Sequence, residues 1–289
     1  MTRTVLVPSS LVREAEDKRE ATRKLGTVAR AATVFRIDRV VVYPDVGGED
    51  GRFDGGFVTT VLAYAATAPY LRKEVWAVRE ELEHVGVLPP LRLPTETGSG
   101  SDGSGSLRQG IVTEVGPENR VRVNCGLQHP ISLPTPPALA PVERGSRVSI
   151  RVSSRRPLRA KLVDEPLPGF TVERAAIDAS LRHRDAGLRV AASRHGEPLS
   201  AARVESLGQR VAADGLTVAF GAPERGLPEI LDHGPTDETA SQREASEDSE
   251  TTEPDARFDL WLNTVPQQGS AVVRTEEAMF ATLAPLSLG

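Results

Sequence analysis

Two glycine-bearing segments in the last third of the sequence hold the residues best suited to bind a ligand. The first, GAPERGL, spans Gly221–Leu227, and its glycines would let bare backbone approach a bound molecule. Its Glu224 and Arg225 can point to different partners, although a plain turn with surface charges is the alternative. The second, WLNTVPQQGSAVVRTEEA at 261–278, combines a rigid proline with a flexible glycine and so presents backbone polar groups in a fixed geometry. In it, the Thr275 hydroxyl is expected to cap a helix.

A third candidate segment, SRHGEPL at 193–199, contains a glycine suited to a tight turn and two side chains, Arg194 and His195, that can reach a ligand. An arginine and a histidine after a strand are more often ordinary loop residues, so this segment alone predicts little. All three segments follow predicted strands. In open α/β sheets ligands collect beyond the carboxyl ends of the strands, which predicts one site built from three loops.

The elements that would carry these loops alternate between strand and helix. The β-branched runs at Thr4–Pro8 and Arg39–Tyr43 predict buried strands. Between them a helix is expected to begin after Ser9 or Ser10 and to end near Ala32. The alternation resumes later, with helices predicted at 172–184, 199–212 and 275–283 and strands at 188–192, 216–220 and 258–263. This order predicts an α/β fold.

The middle of the sequence differs in character. A proline-rich connection leads into a Gly/Ser linker, and five short strand-like runs follow. Between Leu107 and Lys161 there are ten Lys or Arg and three acidic residues, a net charge of +7 that suits phosphate contacts. We predict that residues 94–166 form a small inserted β-barrel of the oligonucleotide-binding (OB) type, within an α/β domain made of residues 1–93 and 167–289. A basic but inert structural insert is the alternative.

The acidic residues are concentrated in one tract. The whole chain has a net charge of −5, yet residues 234–255 alone hold eight acidic residues and one arginine. This tract is too polar to offset the entropy cost of ordering and is predicted to be a disordered loop. The rest of the chain is slightly positive, so the overall charge does not exclude a nucleic-acid partner.

The composition argues against several classes of protein. The single cysteine, Cys125, cannot form an internal disulfide, and the first residues contain no apolar leader, so a cytoplasmic protein is expected. No apolar stretch reaches the roughly 20 residues of a membrane span. No GxGxxG follows a predicted strand, which argues against a dinucleotide-dependent dehydrogenase. One cysteine and five scattered histidines argue against a zinc enzyme, and no metal is expected.

Several motifs carry a resemblance to a known family. The segments FGAPERGLPEIL and NTVPQQGSAVVRTEEAMFATLA resemble the SPOUT (α/β knot) superfamily, in particular its archaeal and eukaryotic branch of RNA methyltransferases. RVVVYPD, PYLRKEVW and LPPLRLP are similar to that branch too, so the resemblance spans nearly the whole chain. It implies a trefoil-knotted methyltransferase domain, an OB-like insert and a homodimer. It also implies S-adenosyl-L-methionine as cofactor and RNA as substrate, with a base in ribosomal RNA preferred over transfer RNA.

Carried over by position, the resemblance implies a cofactor site formed by all three segments. Leu262–Val265 would offer adenine an apolar slot. Arg274 or Arg194 is expected to orient the target base. Glu224 or Glu277 is expected to accept a proton. The residues expected to bind the cofactor are Arg194, Gly221, Gly226, Asn263, Thr264, Val265, Pro266 and Gly269.

A second function class stays open at this point. The chain could be an RNA-binding or ribosome-assembly factor that retains the knotted fold but lacks catalysis. Binding of S-adenosyl-L-methionine would distinguish the two classes, since only the enzyme requires it.

Overall fold

The structure is a computed structural model that describes residues 1–48, 53–93, 105–139, 141–232 and 257–288. The acidic tract at 234–255, predicted to be a disordered loop, lies outside the described residues. The chain divides into two compact units. The first contains Met1–Leu62, His84–Pro89 and Val172–Gly289, and the second contains Ala63–Glu83 and Pro90–Thr171. Residues 63–83 thus group with the second unit, and the predicted domain limits at 93/94 and 166/167 stay a prediction.

Strands and helices alternate at both ends of the described chain, and strands dominate its middle. The strands are β1 Arg3–Pro8, β2 Arg39–Tyr43, β3 Ser106–Val115, β4 Arg120–Asn124, β5 Ile131–Pro134, β6 Arg147–Arg155, β7 Leu158–Val163, β8 Thr171–Arg174, β9 Leu188–Pro198, β10 Leu216–Phe220 and β11 Leu260–Asn263. The α-helices are α1 Lys18–Val34, α2 Gly55–Ala66, α3 Arg72–Val75, α4 Ile177–Leu181, α5 Ala201–Asp214, α6 Leu227–Asp232 and α7 Thr275–Leu286. Short 3-10 helices cover Pro69–Leu71, Glu80–Leu82, Val85–Val87 and Pro137–Leu139. The predicted α/β class is confirmed.

A six-stranded sheet forms the centre of the first unit, with its strands in the order β11, β9, β10, β1, β2, β8. The first five of these strands pair in parallel. Strands buried on both faces are continuous apolar runs, which is why β1, β2 and β10 stand out in the sequence. Because parallel strands point the same way, β9, β10 and β11 have their carboxyl ends on the same side of this sheet. The segments that follow these strands therefore begin close together.

The first helix begins later than the sequence predicts. Its cap is Asp17, whose carboxylate accepts a hydrogen bond from the Glu20 amide at 2.7 Å. Ser9 and Ser10, the predicted caps, are buried and bind Asp45 instead. The prediction was wrong because both hydroxyls form hydrogen bonds with Asp45, which follows the next strand, β2.

The helix predicted at 172–184 is wrong in its first part. Its first part is β8, the edge strand beside β2. The Ala175 amide continues this contact by donating to the Val42 carbonyl at 3.3 Å. Only Ile177–Leu181 is helical. Pairing with a distant strand has overridden the local helical preference.

The second unit is built on an antiparallel sheet with the order β5, β4, β3, β6, β7. The five strand-like runs of the sequence are therefore confirmed as five strands. Alternate residues of these strands form its core, which is aliphatic apart from Cys125. The two edge strands, β5 and β7, also contact each other, so the sheet is nearly closed into a barrel.

No helix among the described residues is long and apolar enough to cross a membrane.

Candidate ligand-binding site

A pocket lies where the segments after β9, β10 and β11 meet. All three candidate segments contribute to its wall, although they are far apart in the sequence. The lining residues are Ala192, Ser193, Arg194, Phe220, Gly221, Ala222, Glu224, Gly226, Leu227, Leu262, Asn263, Thr264, Val265, Gln268, Ala271, Val272, Val273, Thr275, Ala278 and Thr282.

Side-chain to backbone hydrogen bonds tie the three segments together. The Asn263 amide group donates to the Arg194 carbonyl at 2.9 Å. The Asn263 side-chain oxygen accepts from the Val265 amide at 3.0 Å, which shapes the start of the second segment. The Thr275 hydroxyl donates to the Gly221 carbonyl at 2.8 Å. Each bond joins a polar side chain to a backbone group at the pocket wall, so the wall is fixed before any ligand arrives.

Thr275 does not cap α7, contrary to the sequence-based expectation. The helix is preceded by Arg274, whose amide donates to the Glu277 carboxylate at 2.9 Å. This contact satisfies one of the backbone N–H groups at the start of the helix. The Thr275 hydroxyl is thereby left to join α7 to the turn after β10.

The third candidate segment, SRHGEPL, is part of a strand rather than a loop. β9 continues to Pro198, because β11 supplies partners for its far end. The pairing register jumps from Trp261↔Ala191 to Leu262↔Glu197, so the residues between are passed over. Gly196 lies in this interval, and a Cβ there would be 2.6 Å from the Leu262 backbone nitrogen. Glycine is therefore required by the close approach of two backbones and not by a tight turn.

The turn after β10 places adjacent charges in opposite environments. Glu224 is exposed at the pocket and has a left-handed φ of 63°. Arg225 is buried and pairs with Asp45 and Glu229. The carbonyl of Phe220, just before the turn, accepts a hydrogen bond from the Tyr43 hydroxyl at 2.6 Å. Burial, with the nearby Asp45 charge, raises the pKa of Tyr43 well above its usual value, so this phenol stays a donor.

Not all of the predicted site residues reach the pocket wall. Seven line it: Arg194, Gly221, Glu224, Gly226, Asn263, Thr264 and Val265. Pro266 and Gly269 are exposed and do not line it. Arg274 and Glu277 are exposed too, and the Glu277 carboxylate is engaged at the start of α7. Arg274 follows Val273 and precedes Thr275, both of which line the pocket, so it lies at the pocket's border.

Several lining residues were not predicted from the sequence. Three of them, Thr275, Ala278 and Thr282, lie on one face of α7 at helical spacing. That spacing is visible in the sequence and could have indicated a helix face turned to the site. Four more, Gln268 and Ala271–Val273, lie in irregular backbone, where no periodic signal exists.

Comparison with known proteins identifies the family. A family model described as "Putative RNA methyltransferase" matches residues 2–286. The chain belongs to this RNA methyltransferase family. A protein of Halobacterium salinarum is 67% identical over 288 residues, which are 100% of this chain and 99% of that protein. A protein of Haloarcula marismortui is 63% identical over 289 residues, with 100% and 99% covered.

A human relative has a more specific name. The human 28S rRNA (uridine-N(3))-methyltransferase is 27% identical over 320 residues, which cover 100% of this chain and 78% of the human protein. The resemblance to RNA methyltransferases drawn from FGAPERGLPEIL and NTVPQQGSAVVRTEEAMFATLA is thereby confirmed. The chain is an RNA methyltransferase, and the pocket is the candidate site for its methyl donor.

Proposed function

We propose that this RNA methyltransferase transfers a methyl group from S-adenosyl-L-methionine to a base in ribosomal RNA. The observation that carries the proposal is the meeting of three separate segments at one pocket beyond the ends of parallel strands. The human relative, named for the N3 atom of a uridine in ribosomal RNA, supports uridine as the acceptor.

The pocket residues fit the proposed methyl donor. A Cβ on Gly221 would lie 2.8 Å from the Arg225 carbonyl oxygen and from the Leu227 nitrogen, so the turn that forms this part of the wall requires glycine. Near Gly226 a Cβ would meet only one atom within 4 Å, at 3.5 Å, which leaves this backbone open to a ligand. Leu262 and Val265 add apolar surface suited to an adenine ring.

The chemistry divides between the donor and the chain's own residues. The donor would supply a methyl group on a positively charged sulfur. Glu224 is the acidic residue of the pocket wall and would oppose that charge. A uridine N3 must lose its proton, and we propose Glu224 as the acceptor, because the alternative, Glu277, already holds the start of α7. Arg194 at the wall or Arg274 at its border would orient the base and stabilise its developing negative charge.

RNA would also contact the second unit. On β4 the exposed side chains Arg120 and Arg122 alternate with the buried Val121. On β7, Arg159 and Lys161 are exposed, and they line a groove shared by β5 and β7. This concentration of cations on the surface of a nearly closed barrel supports an OB-type RNA-binding insert.

The remaining features belong to the same proposal. We propose that the α/β domain has the trefoil knot of the SPOUT superfamily, that the enzyme works as a homodimer and that it acts in the cytoplasm. These properties follow from the resemblance of the turn after β10 and the segment after β11 to that superfamily, and from the composition.

Calorimetry with S-adenosyl-L-methionine tests the donor site. We expect micromolar binding by the natural protein and loss of binding in Ala278→Trp, because the indole would fill the pocket. Ala284→Trp is the matched control, since Ala284 lies on the same helix but is exposed and outside the wall. Its affinity should be unchanged.

The alternative function predicts a different result. A natural protein that binds RNA but shows no affinity for S-adenosyl-L-methionine would mean that the proposed donor and its site are wrong. If the donor binds, mass spectrometry of ribosomal RNA nucleosides from cells that lack this protein should show a missing 3-methyluridine.

A further inference from the structure

A buried ion pair, whose two residues do not line the pocket, holds the turn after β10. Asp45 and Arg225 are only 2% and 9% exposed. Arg225 Nε and Nη2 donate to Asp45 Oδ2 and Oδ1 at 3.2 and 3.1 Å, and Nη1 donates to Glu229 at 2.7 Å. A two-point contact between guanidinium and carboxylate fixes orientation as well as distance. The pair therefore determines where the backbone of residue 225 lies.

Asp45 is itself fixed by its surroundings. The Ser10 hydroxyl donates to Asp45 Oδ2 at 2.5 Å, and the Asp45 amide donates to the Ser9 hydroxyl at 2.9 Å. A Cβ on Gly48 would overlap Asp45 Oδ2, so Gly48 packs directly on the carboxylate. Asp45 cannot turn away without breaking contacts to the residues that follow both β1 and β2.

The residue before Arg225 has the opposite environment. Glu224 is exposed, lines the pocket and has a left-handed φ of 63°. An ordinary side chain keeps that backbone conformation only when its surroundings impose it. Arg225, the next residue, makes the buried contacts that can impose it.

We propose that Asp45 and Arg225 are positioning residues that hold Glu224 and the adjoining turn at the methyl-donor pocket. Neither lines the pocket, so both act through the turn. This inference rests on the proposed function, because it concerns the same site.

A double-mutant cycle with Arg225→Met and Glu224→Gln tests the inference, with donor affinity measured by calorimetry. Arg225→Met should weaken binding about tenfold, because it removes charge-assisted hydrogen bonds that shape the wall. Glu224→Gln should weaken binding in the natural background but have a much smaller effect in Arg225→Met. Full additivity of the two effects would overturn the inference, since independent residues act additively.

Arg39→Met is the matched control. Arg39 lies at the other end of β2 and pairs with Asp185 at 3.0 Å. Its loss should lower the melting temperature without changing donor affinity. A loss of affinity as large as that of Arg225→Met would mean that general destabilisation, and not positioning, explains the result.

Hydrogen exchange of the donor-free protein separates this inference from the proposed function. The amides of 221–232 should exchange faster in Arg225→Met and, to a smaller extent, in Arg225→Lys, which keeps the charge but loses the two-point contact. Unchanged exchange in the Lys variant would overturn the inference even if the Met variant does not fold. If exchange depends on Arg225 but the natural protein binds no donor, the positioning stands and the proposed function fails.

Discussion

At the scale of single residues, Glu276 is a buried carboxyl group in surroundings that disfavour its charged form. Its side chain is 6% exposed, and its Oε2 atom has no hydrogen-bond partner among the described residues. Burial raises the pKa of Glu276, and the nearby Glu14 adds to the effect. Ionisation of this group therefore opposes folding.

Glu276→Gln should change how stability depends on pH. A pKa that is raised in the folded state means that stability is highest while the group is protonated and falls as pH rises through that pKa. The amide cannot ionise, so the variant should gain stability relative to the natural protein as pH rises. Melting temperatures from about pH 4 to pH 8 would show this, and a constant difference over that range would contradict it.

Residue types indicated much of the site, but not its contacts. Gly221 and Asn263 were recognisable because a bare backbone and an amide group after a strand suit ligand binding. The partner of Thr275 was not, because the Gly221 carbonyl lies 54 residues away in the chain. A hydroxyl at a predicted helix start fits the capping pattern whether or not it caps the helix. The sequence alone therefore could not distinguish a capping hydroxyl from one that binds a distant carbonyl.

At the scale of elements, prediction succeeded where burial dominates. β2 and β10 have the predicted bounds, because a central parallel strand must be apolar along its whole length. β8 was missed because it is short, lies at the sheet edge and alternates little. The far end of β9 was missed because its partner, β11, comes much later in the chain.

The close approach of the β9 and β11 backbones gives a prediction about Gly196. An alanine Cβ there would lie 2.6 Å from the Leu262 nitrogen, so Gly196→Ala should push the strands apart and cost about 1–3 kcal/mol of unfolding free energy. Donor affinity should fall too, because Arg194 on β9 and Leu262 on β11 both line the pocket. Denaturant titration and calorimetry would measure both effects.

Gly86→Ala provides the control for this change. A Cβ on Gly86 meets nothing within 4 Å, so the variant should be as stable as the natural protein. Equal stabilities for the two alanine variants would show that the strands can separate without cost.

At the scale of the whole molecule, charge is divided unequally between parts of the chain. The net charge is −5, but the strands of the second unit are rich in arginine. No Phe, Tyr or Trp occurs between Trp76 and Phe170. Proteins that bind single-stranded RNA through its bases stack them on such rings. Strands β3–β7 all lie in this stretch, so RNA binding by their sheet should depend on phosphates and not on base identity.

The double variant Arg159→Ala/Lys161→Ala should weaken RNA binding and its dependence on salt. Each lost phosphate contact with a single strand reduces the slope of log affinity against log salt by about 0.7. Fluorescence anisotropy with oligo(U) and oligo(A) of equal length should give similar affinities and similar losses. Arg144→Ala, an exposed arginine outside the strands, should have little effect. A strong preference for one base would contradict this model.

The order of the strands in the parallel sheet has a consequence for synthesis of the protein. β1 lies between β2 and β10, although it is made first. A nascent chain can pair β1 with β2 early, but the other edge of β1 stays open until residues 216–220 have left the ribosome. An open apolar strand edge is a template for aggregation. We therefore expect the yield of folded protein to depend on chaperones that shield nascent chains.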